Sequence, residues 1–205
     1  MTNPASAKKP TRIQLRNRKR ILDAALDVFS KHGYRGATLD QIATASGLSK
    51  PNILYYFEGK EDIHVTLLNQ LMDAWLAPLR EVDRDGDPLQ EILRYVRRKL
   101  EMSLEFPRES RLFANEILQG APRMAPHLER GLKPLVDDTA DLISEWIAQG
   151  RLAPVDPRHL LFSIWATTQH YADFDAQVRV LMQGRAGHDA AWDFLDTLYR
   201  RLLTP

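Results

Sequence analysis

The chain of 205 residues is 44% hydrophobic, enough for a packed core and unlike a disordered protein. It has no cysteine, which excludes disulfides, zinc–thiolate sites and cysteine nucleophiles. The net charge of +1 conceals an asymmetry: residues 1–60 carry 11 Lys and Arg against 4 Asp and Glu, and residues 61–205 carry 17 against 23. A basic end and a mildly acidic remainder form the electrostatic layout expected of a DNA-binding regulator. The N-terminus has no apolar core of a secretory signal, and no apolar run approaches the roughly 20 residues of a membrane span, so a cytoplasmic protein is expected.

Residues 1–12 contain Pro4, Pro10, Lys8, Lys9 and Arg12 and read as a flexible basic arm. The first helix is expected from about Leu15 to His32, with Ile21, Leu22, Ala25, Val28 and Phe29 as its apolar stripe. Arg16, Arg18, Lys19 and Arg20 crowd its first turns, where positive charge opposes the helix dipole. Phosphate binding would account for them; a solvated charged face is the alternative. His32 and Gly33 end the helix.

The stretch TLDQIATASGLSKPNILYYF, residues 38–57, reads as two short helices joined by a tight turn. Thr38 is a good N-cap, and Leu39, Ile42 and Ala43 share one helical face. Gly47 falls where the first helix must end, because Gly takes a left-handed conformation without a Cβ penalty. Ser49 caps the second helix and Pro51 sits near its start. Ile53, Leu54 and Phe57 are expected inside, with Lys50, Asn52, Tyr55 and Tyr56 outside. This is a helix-turn-helix pattern, whose second helix enters the DNA major groove.

A fourth helix, about Lys60 to Arg80, carries Ile63, Leu67, Leu68, Leu71, Trp75 and Leu76 and is longer than a small DNA-binding domain needs. After a loop at Asp83 to Pro88, helices are expected over about Leu89–Glu105 and Arg108–Gln119. The next covers about Pro126–Gln149, with Gly131 and Pro134 splitting or kinking its first half. Asp156 caps and Pro157 begins a long helix to about Met182. After a break at Gly184 to Gly187, a last helix runs from about His188 to Leu203. No stretch shows strand periodicity, so the expectation is an all-α protein of about nine helices.

The order and the residues now resemble the TetR family of transcriptional regulators. The resemblance rests on Ala24-Ala25, Phe29, Gly33-Tyr34, Thr38, Ile42-Ala43, Gly47-Leu48-Ser49, Tyr55-Tyr56-Phe57 and Lys60-Glu61. It implies a three-helix DNA-binding domain over residues 13–60, and a helical ligand-binding and dimerisation domain over residues 61–205. Further stretches, AWLAPLR, RRKLEMSLEFPRESRLFANEILQGAP and RLAPVDPRHLLFSIWATTQHYADFDAQV, are similar to the pyrimidine-utilisation branch of this family, which responds to uracil or thymine. The resemblance therefore implies a homodimeric, repressor-like protein released from a near-palindromic operator by a small molecule. A same-fold regulator answering to a different planar or apolar ligand is the alternative.

The N-terminal residues of a recognition helix meet base edges, which here are Ser49, Lys50, Pro51 and Asn52. Lys50 can donate to guanine or phosphate, and Asn52 can pair with adenine or serve a phosphate. Thr38, at a helix N-terminus, is a further phosphate candidate beside its capping role. Tyr55 suits backbone oxygens or packing with an exposed tip. The resemblance adds Tyr56 and Lys60 as phosphate grips. Packing alone is the competing role for the tyrosines, and solvation for Lys60.

For the ligand, Trp165 and Gln169 are four apart and share a helix face. The indole can stack on a flat ring, and the amide can donate and accept at once, matching an imide edge. Trp75 is a candidate second wall, with Phe113 and Asn115 as weaker candidates. Ordinary core for the tryptophans, and an interface amide for Gln169, are the competing roles. The last two helices, from Pro157 and from His188, offer apolar faces for a four-helix dimer contact.

No metal or cofactor is expected. The chain lacks a Gly-rich phosphate loop, G-x-S-x-G and HExxH, and Asp173 and Asp175 near His170 lie on different helix faces, which argues against an enzyme. A nonspecific chromatin-like binder would need positive charge over the whole surface, whereas residues 61–205 are net acidic.

Overall fold

The computed structural model describes residues 11–183 and 188–205. Most of the expected basic arm, and the expected break after Met182, lie outside the described residues. All regular structure among them is helical. The chain divides into two compact units between Leu67 and Leu68.

In the first unit, α1 (Arg12–Gly36) begins three residues earlier than expected. Thr11 caps it through a reciprocal pair of bonds with Gln14, so Arg12 belongs to the helix. Gly33 breaks the helical geometry at φ 64°, where the sequence placed the end. Helix α2 (Leu39–Ser46) is capped by Thr38 with Gln41 reaching back, and it ends on Gly47 at φ 63°. Ser49 caps α3 (Lys50–Tyr56). The three helices enclose Ile21, Ala25, Phe29, Ile42 and Ile53, all fully buried. Leu54, expected inside, is 46% exposed, because α3 has only seven residues and turns a narrow face inward.

Helix α4 (Lys60–Arg80) has its expected bounds, and the division between units falls inside it. In the second unit α5 (Pro88–Glu105) and α6 (Pro107–Leu118) each start on the proline just before the expected first residue, where a missing N–H does no harm. The kink anticipated from Gly131 and Pro134 takes a specific form. A short α7 (Ala125–His127) passes into a π-helical turn (Leu128–Leu132) and then α8 (Lys133–Ala148), the N–H of Lys133 bonding back to Leu128 O.

The expected helix from Pro157 to Met182 is two helices, α9 (Pro157–Asp173) and α10 (Asp175–Met182), separated at Phe174. A tertiary contact accompanies the break, Asp173 accepting a hydrogen bond from Ser110 on α6, and locally Phe174 stacks on His170 at 4.9 Å. Helix α11 (His188–Leu203) closes the unit and packs on α5. The core joins Val96 and Leu100 of α5, Ile143 and Trp146 of α8, Leu161 and Ile164 of α9, and Leu195 and Tyr199 of α11.

Candidate functional sites: a DNA-reading face and an effector cavity

The first unit presents α3 with Lys50, Pro51 and Asn52 exposed at its N-terminal turn. Lys50 is held by Asp40 of α2 at 3.2 Å, a solvent-exposed pair that a competing phosphate can open. Thr38 and Ser49 serve as caps through their hydroxyls. Tyr55 is 69% exposed, so it is not core, and its hydroxyl accepts from Gln14 at 3.1 Å. Tyr56 is half-buried and its hydroxyl accepts from Asn17 at 3.2 Å. Both tyrosines therefore orient α3 against α1.

Lys60 has a different position from the one its solvated alternative supposes. Its ammonium donates to Tyr34 O and Ala37 O, each at 2.8 Å, and lies 4.4 Å from the Tyr34 ring centroid. It satisfies carbonyls in the last turn and at the C-cap of α1 and keeps one of its three N–H donors. The basic cluster of α1 is also largely engaged. Arg20 donates to Ser46 O at 2.7 Å, Arg18 lies over the Phe57 ring at 4.4 Å, and Lys19 pairs with Asp23 at 3.0 Å. Phosphate binding was the expected reason for this cluster; scaffolding of α2 and α3 explains Arg18 and Arg20.

The second unit contains a cavity of about 300 Å³. Met72, Trp75 and Leu76 of α4 form one wall, and Trp165 and Gln169 of α9 face it. Phe113 and Ile117 of α6, and Leu128 and Leu132 of the π-helical turn, complete the apolar lining. Trp75 and Phe113 pack with ring centroids 5.8 Å apart. Four of the five ligand candidates thus meet in one place. Asn115 does not line the cavity: on α6 it is two residues from both Phe113 and Ile117, which puts it on another face.

Among the lining residues missed at the sequence level, two carry a hydroxyl or an ammonium, Tyr95 and Lys99 of α5. The Trp165 indole N–H donates to the Tyr95 hydroxyl at 2.8 Å, so this tryptophan offers the cavity only its ring. Burial pushes the Tyr95 hydroxyl pKa up, opposed by that bond. Lys99 is 3% exposed, and its ammonium lies 4.2 Å from the Trp75 ring centroid. Burial pushes its pKa down to about 8, with Asp173 opposing at longer range. A signal existed: Lys99 falls on the apolar face of α5, four residues from Tyr95 and three from Val96.

Comparison with known proteins bears on both units. Residues 21–65 match the model of bacterial regulatory proteins of the tetR family, and residues 68–204 match that of the YcdC-like protein C-terminal region. Over 173 residues the chain is 49% identical to the HTH-type transcriptional regulator RutR of Escherichia coli (strain K12), covering 84% of this chain and 82% of that one. In fold it is similar to a transcriptional regulator of Streptomyces coelicolor, with TM-score 0.73, 23% identity and coverage of 92% and 99%. It is also similar to AibR in complex with isovaleryl coenzyme A and operator DNA, with TM-score 0.71, 19% identity and the same coverage.

Proposed function

Because the chain belongs to the TetR family of DNA-binding transcriptional regulators, we propose that it is a repressor released from its operator by a free pyrimidine such as uracil or thymine. The observation that carries this reading is the cavity itself. About 300 Å³ lined by Trp75, Trp165 and Gln169 has room for one flat polar ring. An indole face on one side and an amide that donates and accepts on the other match the ring's π-surface and its imide edge. No step here is catalytic; the family regulates transcription.

Regulators of this family bind operator DNA and small effectors, typically as dimers. In this chain the DNA-facing domain is residues 13–60, with α3 in the major groove and the effector and dimer functions in residues 61–205. Lys50 and Asn52 contact base edges or phosphates with Ser49 and Pro51 beside them. Thr38, Tyr55, Tyr56 and the remaining donor of Lys60 contact phosphates. Dimerisation uses α9 to α11, where Phe162, Phe174, Phe194, Leu198 and Leu202 are exposed, more apolar surface than solvent alone favours. Among the described residues no helix is long and apolar enough to cross a membrane.

The mechanism is linkage. A ring seated against Met72, Trp75 and Leu76 favours one setting of α4, whose first turns belong to the DNA-binding unit. If that setting misplaces the two recognition helices, operator affinity falls by the coupling free energy, typically about 1–3 kcal/mol. Calorimetric titration with uracil, thymine, cytosine and uridine tests the effector, followed by operator binding with the best of them. Silence toward every free pyrimidine removes the effector assignment and leaves the DNA-binding function standing.

A further inference from the structure

The polar groups of the cavity are unequal in kind. Lys99 is 3% exposed, and its ammonium lines the cavity without a hydrogen bond or ion pair to a side chain among the described residues. Its recorded neighbours are the Trp75 ring and, at longer range, Asp173. A buried cation without an acceptor is costly, unless a ligand supplies one. The Tyr95 oxygen already accepts from Trp165, which leaves its O–H proton to donate. Gln169 has no recorded partner among the described residues and brings two N–H donors and one carbonyl. The side chains around the cavity therefore offer many donors, and one uncommitted acceptor group.

Helix geometry puts these groups on one surface. Tyr95 and Lys99 are four apart on α5, Trp165 and Gln169 four apart on α9, and the indole–phenol bond ties the two pairs together. We propose that Tyr95 and Lys99 are the specificity-determining pair of this cavity, selecting a ring with two exocyclic oxygens and rejecting its amino-substituted analogue. The inference deepens the pyrimidine reading and rests on it. In uracil the Gln169 carbonyl accepts a ring N–H, while Lys99, Tyr95 and the Gln169 amide donate to the two oxygens. In cytosine one oxygen is replaced by an amino group, which adds donors where the cavity already has too many. The Lys99 ammonium cannot accept from it. An analogue that leaves a buried donor unpaired binds more weakly, here by on the order of 100-fold.

The test is calorimetry on the full chain at pH 7 with uracil and with cytosine. The wild type is expected to prefer uracil by about 100-fold. In Lys99→Met the preference is expected to shrink to within about tenfold, through loss of uracil affinity, while the melting temperature of the ligand-free protein rises because a buried cation is gone. Tyr95→Phe moves the preference the same way by less, and gives a second reading should Lys99→Met fold poorly. Wild-type affinities for uracil and cytosine within about threefold of each other overturn the inference and leave the pyrimidine reading intact. So does a wild-type preference retained in both variants. Binding of neither base overturns both.

Discussion

The indole N–H of Trp165 donates to the hydroxyl of Tyr95 at 2.8 Å, joining α9 to α5 at the wall of the cavity. The bond fixes which atoms a ligand meets: a ring face from Trp165 and an O–H proton from Tyr95. Tyr95→Phe leaves the indole N–H without that acceptor. The expected cost is about 1 kcal/mol of stability, read as a melting temperature lower by about 2–4 °C. An unchanged melting temperature would show that the bond contributes nothing.

Lys99 gives the protein a dependence on pH. Its folded pKa is pushed down to about 8 by burial, with Asp173 pulling the other way; unfolded, it returns to about 10.4. Asp173 is itself bonded by Ser110 and faced by Arg111 and His170, and burial raises its pKa. Between the two Lys99 values the unfolded chain holds a proton that the folded, ligand-free chain has released, so stability from this group rises with pH across that window. At lower pH the charged form opposes folding. Lys99→Met is therefore more stable than the wild type at pH 7, and the gap narrows at pH 9. On the proposed contact of uracil with the ammonium, uracil affinity is expected to fall as pH rises past about 8. A gap that widens with pH contradicts the assignment.

Gly47 ends α2 at φ 63°, and a methyl added there meets the Arg20 Nη2 at 3.1 Å. That guanidinium is bonded to Ser46 O and cannot withdraw freely. Gly47→Ala is expected to cost about 1–2 kcal/mol. Thermal denaturation measures it, and a neutral result shows that the turn has another conformation.

On the DNA side, Lys50→Ala is expected to weaken operator binding. Loss of a phosphate contact lowers the salt slope by about one; loss of a base contact instead relaxes sequence preference at one position. Fluorescence anisotropy over a salt series separates these outcomes. Wild-type affinity in the variant removes Lys50 from the interface.

Phe194 is 60% exposed on α11, in line with Leu198 and Leu202 four and eight residues on. Phe194→Glu places a charge in the proposed dimer contact. Sedimentation velocity is expected to show monomers, with operator affinity lost in parallel. A variant that stays dimeric places the contact elsewhere.

The helix-turn-helix was legible because its signals are local. Thr38, Gly47 and Ser49 act through backbone groups within three or four residues, and each does what its chemistry indicates. Helical spacing put Trp165 and Gln169 on one face, and the family resemblance, not the spacing, pointed that face at a ligand. Lys99 was not, because it follows Arg97 and Arg98 and reads as one more solvated cation; only the helical phase set by Tyr95 and Val96 turns it inward. The break at Phe174 had no Gly or Pro to announce it and lies beside a bond from Ser110, 63 residues from Asp173. The scaffolding bonds of Lys60 and Arg20 were hidden for the same reason. Their acceptors are carbonyls more than 20 residues away in sequence.

The most direct measurement is operator anisotropy of the wild type and of Gln169→Ala as uracil is added. Saturating uracil is expected to raise the wild-type operator Kd by roughly 5–150-fold and to leave that of Gln169→Ala where it began. A wild type that does not respond, or a Gln169→Ala that releases DNA at the same uracil concentration as the wild type, would contradict control of the operator from this cavity.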